Sequence, residues 1–222
     1  MTRKRIKKIE SVVWDFNGTL IDDVALGVNS VNTLLRRRGL KEIASHDEYR
    51  ELFCFPVIDY YKRVGFDFEK EPFSLLAVEW VEEYKSGFGI VTLREGVLSA
   101  LSALKNAGIK QYIISASERS MLSEQLKYFG IDSYFDGVYG IDNINAGSKA
   151  HLALEWASEH DADSAIFIGD TLHDYDTASA AGIECFLITG GHQSREQLLS
   201  KTDNVIDLFE ELVEYVLNGD EE

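Results

Sequence analysis

Ser11-Val12-Val13-Trp14-Asp15-Phe16-Asn17-Gly18-Thr19-Leu20 is the stretch on which the fold turns. β-Branched and aromatic residues at this density predict a buried strand over 11–14. Asp15 ends the run, and Asn17-Gly18-Thr19 breaks it as a turn does. Working outward, the next sixty residues change character. Val24, Val28, Val31, Leu34 and Leu35 recur at helical spacing until Gly39. Phe73, Leu76, Ala77, Trp80, Val81 and Tyr84 make a second stripe, stopped near Gly87. Shorter helices are expected around 49–53 and 57–64, so this part reads as an insert of about four helices.

After Leu93 helix and strand alternate. Val97, Leu98, Leu101 and Leu104 form a helix face closed by Gly108, and 109–114 reads as a strand ending at Ser115. Met121, Leu122, Leu126 and Phe129 form the next helix face; a strand near 134–139 and a helix from about Lys149 follow. Strands over 164–168, ending at Gly169-Asp170, and over 183–188 complete the pattern. Such alternation predicts an α/β fold, a three-layer Rossmann-like core with a parallel sheet and helices on both faces. The expected division is a core of 1–21 and 90–222 around an inserted all-helical domain of 22–89.

Composition narrows the function classes. The 222 residues include 38 acidic and 22 basic ones, a net charge of −16. Arg3, Lys4, Arg5, Lys7 and Lys8 lie in the first eight residues, so the rest of the chain carries −21. That body repels a nucleic-acid backbone, and no nucleic-acid partner is expected. Asp15 interrupts the apolar run that follows the basic start, which argues against a signal peptide, and no run is long enough to cross a bilayer. A soluble, cytoplasmic protein with no membrane partner is the expectation, and nothing in the pattern sets an oligomeric state. Cys54 and Cys185 are too few for a disulfide framework or a four-cysteine zinc site; they could pair once, but two buried free thiols are expected. The acidic end, 219–222, is expected to fray.

In parallel sheets ligands bind beyond the carboxyl ends of the strands. Asp15, Ser115 and Asp170 stand at those ends, Asp174 follows Asp170, and Lys149 opens a helix between the last two of these strands. Carboxylates are hard oxygen ligands for Mg²⁺. A lysine and a hydroxyl suit phosphoryl oxygens. A carboxylate in line with phosphorus can act as a nucleophile.

Asp15-Phe16-Asn17-Gly18-Thr19-Leu20 resembles the first motif of the haloacid-dehalogenase-like (HAD) hydrolase superfamily. Ser115 is similar to its second motif, Lys149 suits the third, and Gly169-Asp170-Thr171-Leu172-His173-Asp174 resembles the fourth, with Ala178 and Ala181-Gly182 trailing. Order and spacing match over essentially the whole chain, and the helical insert resembles the cap of the phosphoglycolate-phosphatase-like branch. The resemblance implies a Mg²⁺-dependent phosphatase acting on a small phosphorylated metabolite through an aspartyl-phosphate. It implies Asp15 as nucleophile, and Mg²⁺ held by Asp15, the backbone carbonyl of Asn17 and Asp170, with Asp174 as a ligand through water or an orienting group. It implies Ser115 and Lys149 on the phosphoryl oxygens, beneath a cap that closes over them.

The departure is Asn17, where the superfamily's phosphatases usually carry an aspartate that protonates the leaving oxygen. An amide does not deliver a proton. Losing such help typically costs about 10²–10⁴-fold in rate. The site then reads as a slow phosphatase suited to acyl or aryl phosphates, as an impaired binding or regulatory protein, or as an enzyme whose proton comes from the cap. A phosphonate hydrolase, with Lys41 or Lys62 forming a Schiff base, or a dehalogenase ranks lower. On these grounds alone Asn17→Asp is expected to raise the rate. Asn17-Gly18 would also deamidate easily in a flexible loop.

Other conspicuous residues have plainer readings. The five histidines show no metal-ligand spacing, and His173 is expected to face solvent. Arg36-Arg37-Arg38 reads as a solvated helix end, and Trp80 with Tyr84 as packing among the inserted helices. Ala146-Gly147-Ser148-Lys149 has the wrong order for a phosphate-binding loop.

Overall fold

The computed structural model describes residues 8–141 and 149–219. The basic start up to Lys7, the segment 142–148 and the acidic end 220–222 therefore lie outside the described residues. Strand β1 (Ser11–Trp14) is buried along its whole length. It is followed by β2 (Ile21–Asp22), then α1 (Val24–Arg37), α2 (His46–Leu52), α3 (Val57–Arg63) and α4 (Phe73–Gly87). A short β3 (Thr92–Leu93) brings the chain back, pairing antiparallel with β2. Next come α5 (Val97–Asn106), β4 (Lys110–Glu118), α6 (Arg119–Phe129), β5 (Gly137–Ile141), α7 (Ala150–Glu159) and β6 (Ala165–Gly169). The chain ends with α8 (Leu172–Ala180), β7 (Glu184–Ile188), α9 (Arg195–Leu199), β8 (Val205–Ile206) and α10 (Phe209–Asn218).

The main sheet has the order β5-β4-β1-β6-β7-β8, and every pairing in it is parallel. Alternation along β1 sends Val12 and Trp14 to one face and Val13 to the other. The first face packs on α5, α6 and α10 through Leu101, Leu104, Leu122, Phe209 and Leu212. The second packs on α7, α8 and α9 through Trp156, Ala178 and Leu198. These are the three layers expected of an α/β core. The strand expected near 134–139 is shifted to Gly137–Ile141, because Asp132–Tyr134 forms a tight helical turn. β4 runs past Ser115 to Glu118, with a register shift against β5 between Ile114 and Glu118.

Helices α1 to α4 have a core of their own, in which Val28, Val31, Leu34 and Leu35 meet Tyr49, Tyr61, Phe66 and Leu76. The arginines at the end of α1 are not merely solvated. Arg37 pairs with Glu79 and Glu83 at 2.7 and 2.6 Å, and Arg38 with Glu71 and Glu79 at 2.5 and 2.6 Å, so the cluster ties α1 to α4. Arg36, paired with Glu42, and Arg37 are exposed, and Arg38 is half-buried. Among the described residues no helix is long and apolar enough to cross a membrane.

Candidate active site

The central strand delivers Asp15, whose backbone N–H donates to the Ile168 carbonyl at 2.8 Å. The neighbouring strand β6 delivers Asp170, and the first turn of α8 delivers Asp174. One oxygen from each of the three acids lies within 4.8 Å of the others, and all three residues are buried. Lys149, just before α7, reaches into this cluster, and its Nζ contacts both the Asp15 and the Asp174 carboxylates. Only 2% of Lys149 is exposed.

Each acid is held from a second side. Asp170 Oδ1 accepts from the Thr19 hydroxyl at 3.1 Å, and its Oδ2 from the His192 backbone N–H at 2.6 Å. Asp174 Oδ2 accepts from the Thr171 N–H and hydroxyl at 2.9 and 2.6 Å, a capping box that starts α8, which leaves Oδ1 for Lys149. Two glycines make the close approach possible. A Cβ at Gly191 would stand 2.2 Å from Asp170 Oδ2, and one at Gly18, where φ is +73°, 2.3 Å from the same oxygen.

The electrostatics follow from one lysine among three buried acids. Burial pushes the Asp15 carboxyl up to about 8; Asp174 and Asp170 add to this, and Lys149 opposes it. Burial and Asp174 also raise Asp170, against the pull of His192. For Asp174 burial is outweighed by Lys149 and Thr171, so its carboxyl lies low. Burial works against the Lys149 ammonium, yet Asp15 and Asp174 hold it charged. Hard oxygen donors with surplus negative charge suit a divalent cation such as Mg²⁺.

Asp15, Lys149, Asp170 and Asp174 are thus gathered at one place. Ser115 is buried within β4, where the pairing with β5 shifts register, with Oγ accepting from the Ser117 N–H at 3.1 Å. The Asn17 side chain enters a second network. Its Nδ2 donates to Asp23 at 2.8 Å and to the Tyr84 hydroxyl at 2.9 Å, and its Oδ1 accepts from the Ser117 hydroxyl at 2.7 Å. Gly18 N–H, the atom that would attack the Asn17 amide during deamidation, is occupied by Asp23 at 2.8 Å.

Several residues in this second network were not singled out by the sequence. Asp23 and Ser117 sit beside recognised motifs, and His192 follows a strand, in Gly190-Gly191-His192. Tyr84 packs among helices as expected, but its hydroxyl also serves Asp23 and Asn17. His173 does not face solvent. Its ring stacks on Phe55 with centroids 4.3 Å apart, because the α2–α3 loop lies against it. Lys41 and Lys62 are exposed and paired with Glu48 and Asp59, and neither joins the buried cluster.

The helical segment also grips the loop after β7. Tyr49 OH meets His192 Nδ1 at 2.8 Å, Arg50 Nε donates to the Gly191 carbonyl at 2.9 Å, and Gln193 Nε2 donates to the Phe53 carbonyl at 3.2 Å. Burial alone would lower the His192 pKa, but Asp23, Asp170 and Asp15 push it up to about 9. Tyr49 is the remaining polar group on this ring.

This sets a pH signature for stability. The folded-state pKa of His192 lies above its ordinary 6.5, so its contribution is complete below about 6.5 and is lost as the pH rises through about 9. Asp15, raised from 3.8 to about 8, acts in the same direction over its own lower range. The Tm of the metal-free protein is therefore expected to fall as the pH rises, with His192→Gln flattening the limb between about 8 and 9. A wild-type Tm that is level across that limb would contradict the assignment.

Comparison with known proteins agrees with this fold. The family described as haloacid dehalogenase-like hydrolase matches residues 12–188. A phosphoglycolate phosphatase of Neisseria gonorrhoeae is 25% identical, with 98% of this chain and 98% of that protein covered. The solved structure of a haloacid dehalogenase-like hydrolase, SP0104 from Streptococcus pneumoniae, superposes with a TM-score of 0.78 at 25% identity, covering 93% of this chain and 98% of that one. Protein Tyrosine Kinase A of Mycobacterium tuberculosis also superposes at 0.78, with 21% identity and coverage of 95% and 99%, a likeness of fold alone.

Proposed function

The chain belongs to the haloacid dehalogenase-like hydrolase family and is a phosphatase, and on that premise we propose that it hydrolyses a small phosphorylated metabolite with Asp15 as nucleophile and Mg²⁺ as cofactor. The observation that carries this reading is the Lys149 ammonium set between Asp15 and Asp174, with an Asp170 oxygen within 4.8 Å of an oxygen of each of those two acids. Asp15, Asp170 and the backbone carbonyl of Asn17 would hold the ion, with Asp174 behind them. Once bound, Mg²⁺ supplies positive charge that lets an anionic nucleophile meet an anionic substrate.

Lys149 opposes the burial that disfavours an ionised Asp15, and with Ser115 it binds the phosphoryl oxygens. A carboxylate oxygen of Asp15 forms a bond to phosphorus as the bond to the leaving oxygen breaks. Water then attacks phosphorus, releasing phosphate and restoring the Asp15 carboxylate. Asn17 provides no proton for the leaving oxygen, so the favoured substrate leaves as a stable anion, as from an aryl or acyl phosphate. Residues 22–89 serve as a cap domain over a core of 1–21 and 90–222, excluding water from the acids. The setting is the cytoplasm, and the strongly acidic chain has no nucleic-acid partner.

With Mg²⁺, p-nitrophenyl phosphate should be hydrolysed, a simple alkyl phosphate should react about 10²-fold more slowly, and chelation should stop both. Turnover indifferent to chelation, or equal for the two esters, would count against the proposal. Asn17 also favours a second reading, a protein of this fold that binds a phosphorylated ligand without turning it over. Phosphate or vanadate binding with no hydrolysis of either ester would select it.

A further inference from the structure

Asn17 uses both ends of its amide: Nδ2 donates twice, to Asp23 and Tyr84, and Oδ1 accepts from Ser117. Asp23 is only 2% exposed and is saturated. Its Oδ1 receives the Gly18 N–H at 2.8 Å and meets His192 Nε2 at 3.2 Å, while its Oδ2 receives Asn17 and the Tyr84 hydroxyl at 2.8 and 2.7 Å. A carboxylate at position 17 would bring no donor to this network. It would face Asp23 across the present 2.8 Å contact, with the Tyr84 hydroxyl offering one proton to two anions.

We infer that Asp23 and Tyr84 are positioning residues of the nucleophile turn, acting through Asn17, and that the turn works only as one amide facing one carboxylate. The inference rests on the phosphatase reading for its place in catalysis. Geometry carries it further. The Gly18 N–H belongs to the same planar, trans peptide as the Asn17 carbonyl, so anchoring that N–H on Asp23 aims the carbonyl the opposite way. The next carbonyl, that of Gly18, is fixed by Arg94 at 2.8 Å. Asp23 and Arg94 therefore set the two peptides that follow the Phe16–Asn17 link. Tyr84 stands on α4, so the same contacts seat the helical segment on the turn. Asn17→Asp on its own is then a damaging change, the reverse of what the sequence alone leads one to expect.

The test is a swap cycle: Asn17→Asp, Asp23→Asn, the two together, and Tyr84→Phe. Each is measured for Tm without metal and for kcat and KM on p-nitrophenyl phosphate with Mg²⁺. Each single change at 17 or 23 is expected to lower kcat about 10-fold or more and Tm by roughly 5 °C, while the double exchange recovers most of both. Tyr84→Phe should lower kcat with little change in KM, because the hydroxyl touches the turn and not the substrate. Faster turnover by Asn17→Asp alone, or single effects that simply add in the double variant, overturns the inference. If no variant hydrolyses the ester, the phosphatase reading fails, and the Tm cycle still decides the pair: coupled supports it, additive sinks it.

Discussion

Asp15→Asn is expected to abolish hydrolysis, lowering kcat on the order of 10⁴-fold or more. The substitution keeps the shape of the side chain and leaves a carbonyl oxygen for Lys149 to contact, so the packing around it survives. What it removes is the ionised oxygen that bonds to phosphorus, and an amide is not a substitute nucleophile. Stability should move the other way. Burial, Asp174 and Asp170 make an ionised Asp15 unfavourable to the folded protein above about pH 8. The neutral amide removes that cost. Above this pH the metal-free variant should melt no lower than wild type. Substantial residual turnover would mean another nucleophile or a contaminating enzyme. A collapse of Tm would mean that Asp15 is chiefly structural.

Lys149→Met should do the opposite to stability. Methionine roughly preserves the length and packing of the side chain but deletes the cation that touches Asp15 and Asp174. Three carboxylates would then share one buried space with no ammonium between them. Breaking a buried pair by removing one partner costs about 3–5 kcal/mol. For a chain of this size that corresponds to a fall in Tm of roughly 6–20 °C. The sign of the pH response is diagnostic. Without Lys149 the acids are harder to ionise, so acidification protonates them in the fold and the deficit shrinks as the pH falls. A deficit of the same size at every pH would show that Lys149 acts by packing and not by charge.

The acids and the lysine were legible because each stands where a local pattern stops: Asp15 after an apolar run, Asp170 after another, Lys149 before a helical stripe. Those patterns are written in neighbouring residues, so they survive without knowledge of the fold. The alternation of strand and helix likewise disclosed the layers. Asp23, Tyr84 and His192 were not legible as a group, because their meeting depends on how the helical segment docks. Arg37 and Arg38 looked solvated for a similar reason. Their acidic partners lie 33 to 46 residues away, on α4 and just before it, and no local pattern reveals where that helix is placed. Strand β8 has only two residues, too few to display a period. Asn17 stands out in the sequence, but its chemical neighbours do not, and they change what its replacement is expected to do.

The central position of β1 has a consequence during protein synthesis. Its partners are β4 and β6, and Ser11 is in register with Lys110 and Ala165. A ribosome working at about 5–20 residues per second needs roughly 8–30 s to travel from the first strand to the last of these partners. Throughout that interval Val12, Val13 and Trp14 have at most one of their two strand partners, while α1 to α4 are complete, with the partners for a core of their own, before β4 is reached. The nascent chain thus carries its nucleophile on a sticky, half-paired ribbon, and conditions that slow elongation should lengthen its exposure to aggregation and to chaperones.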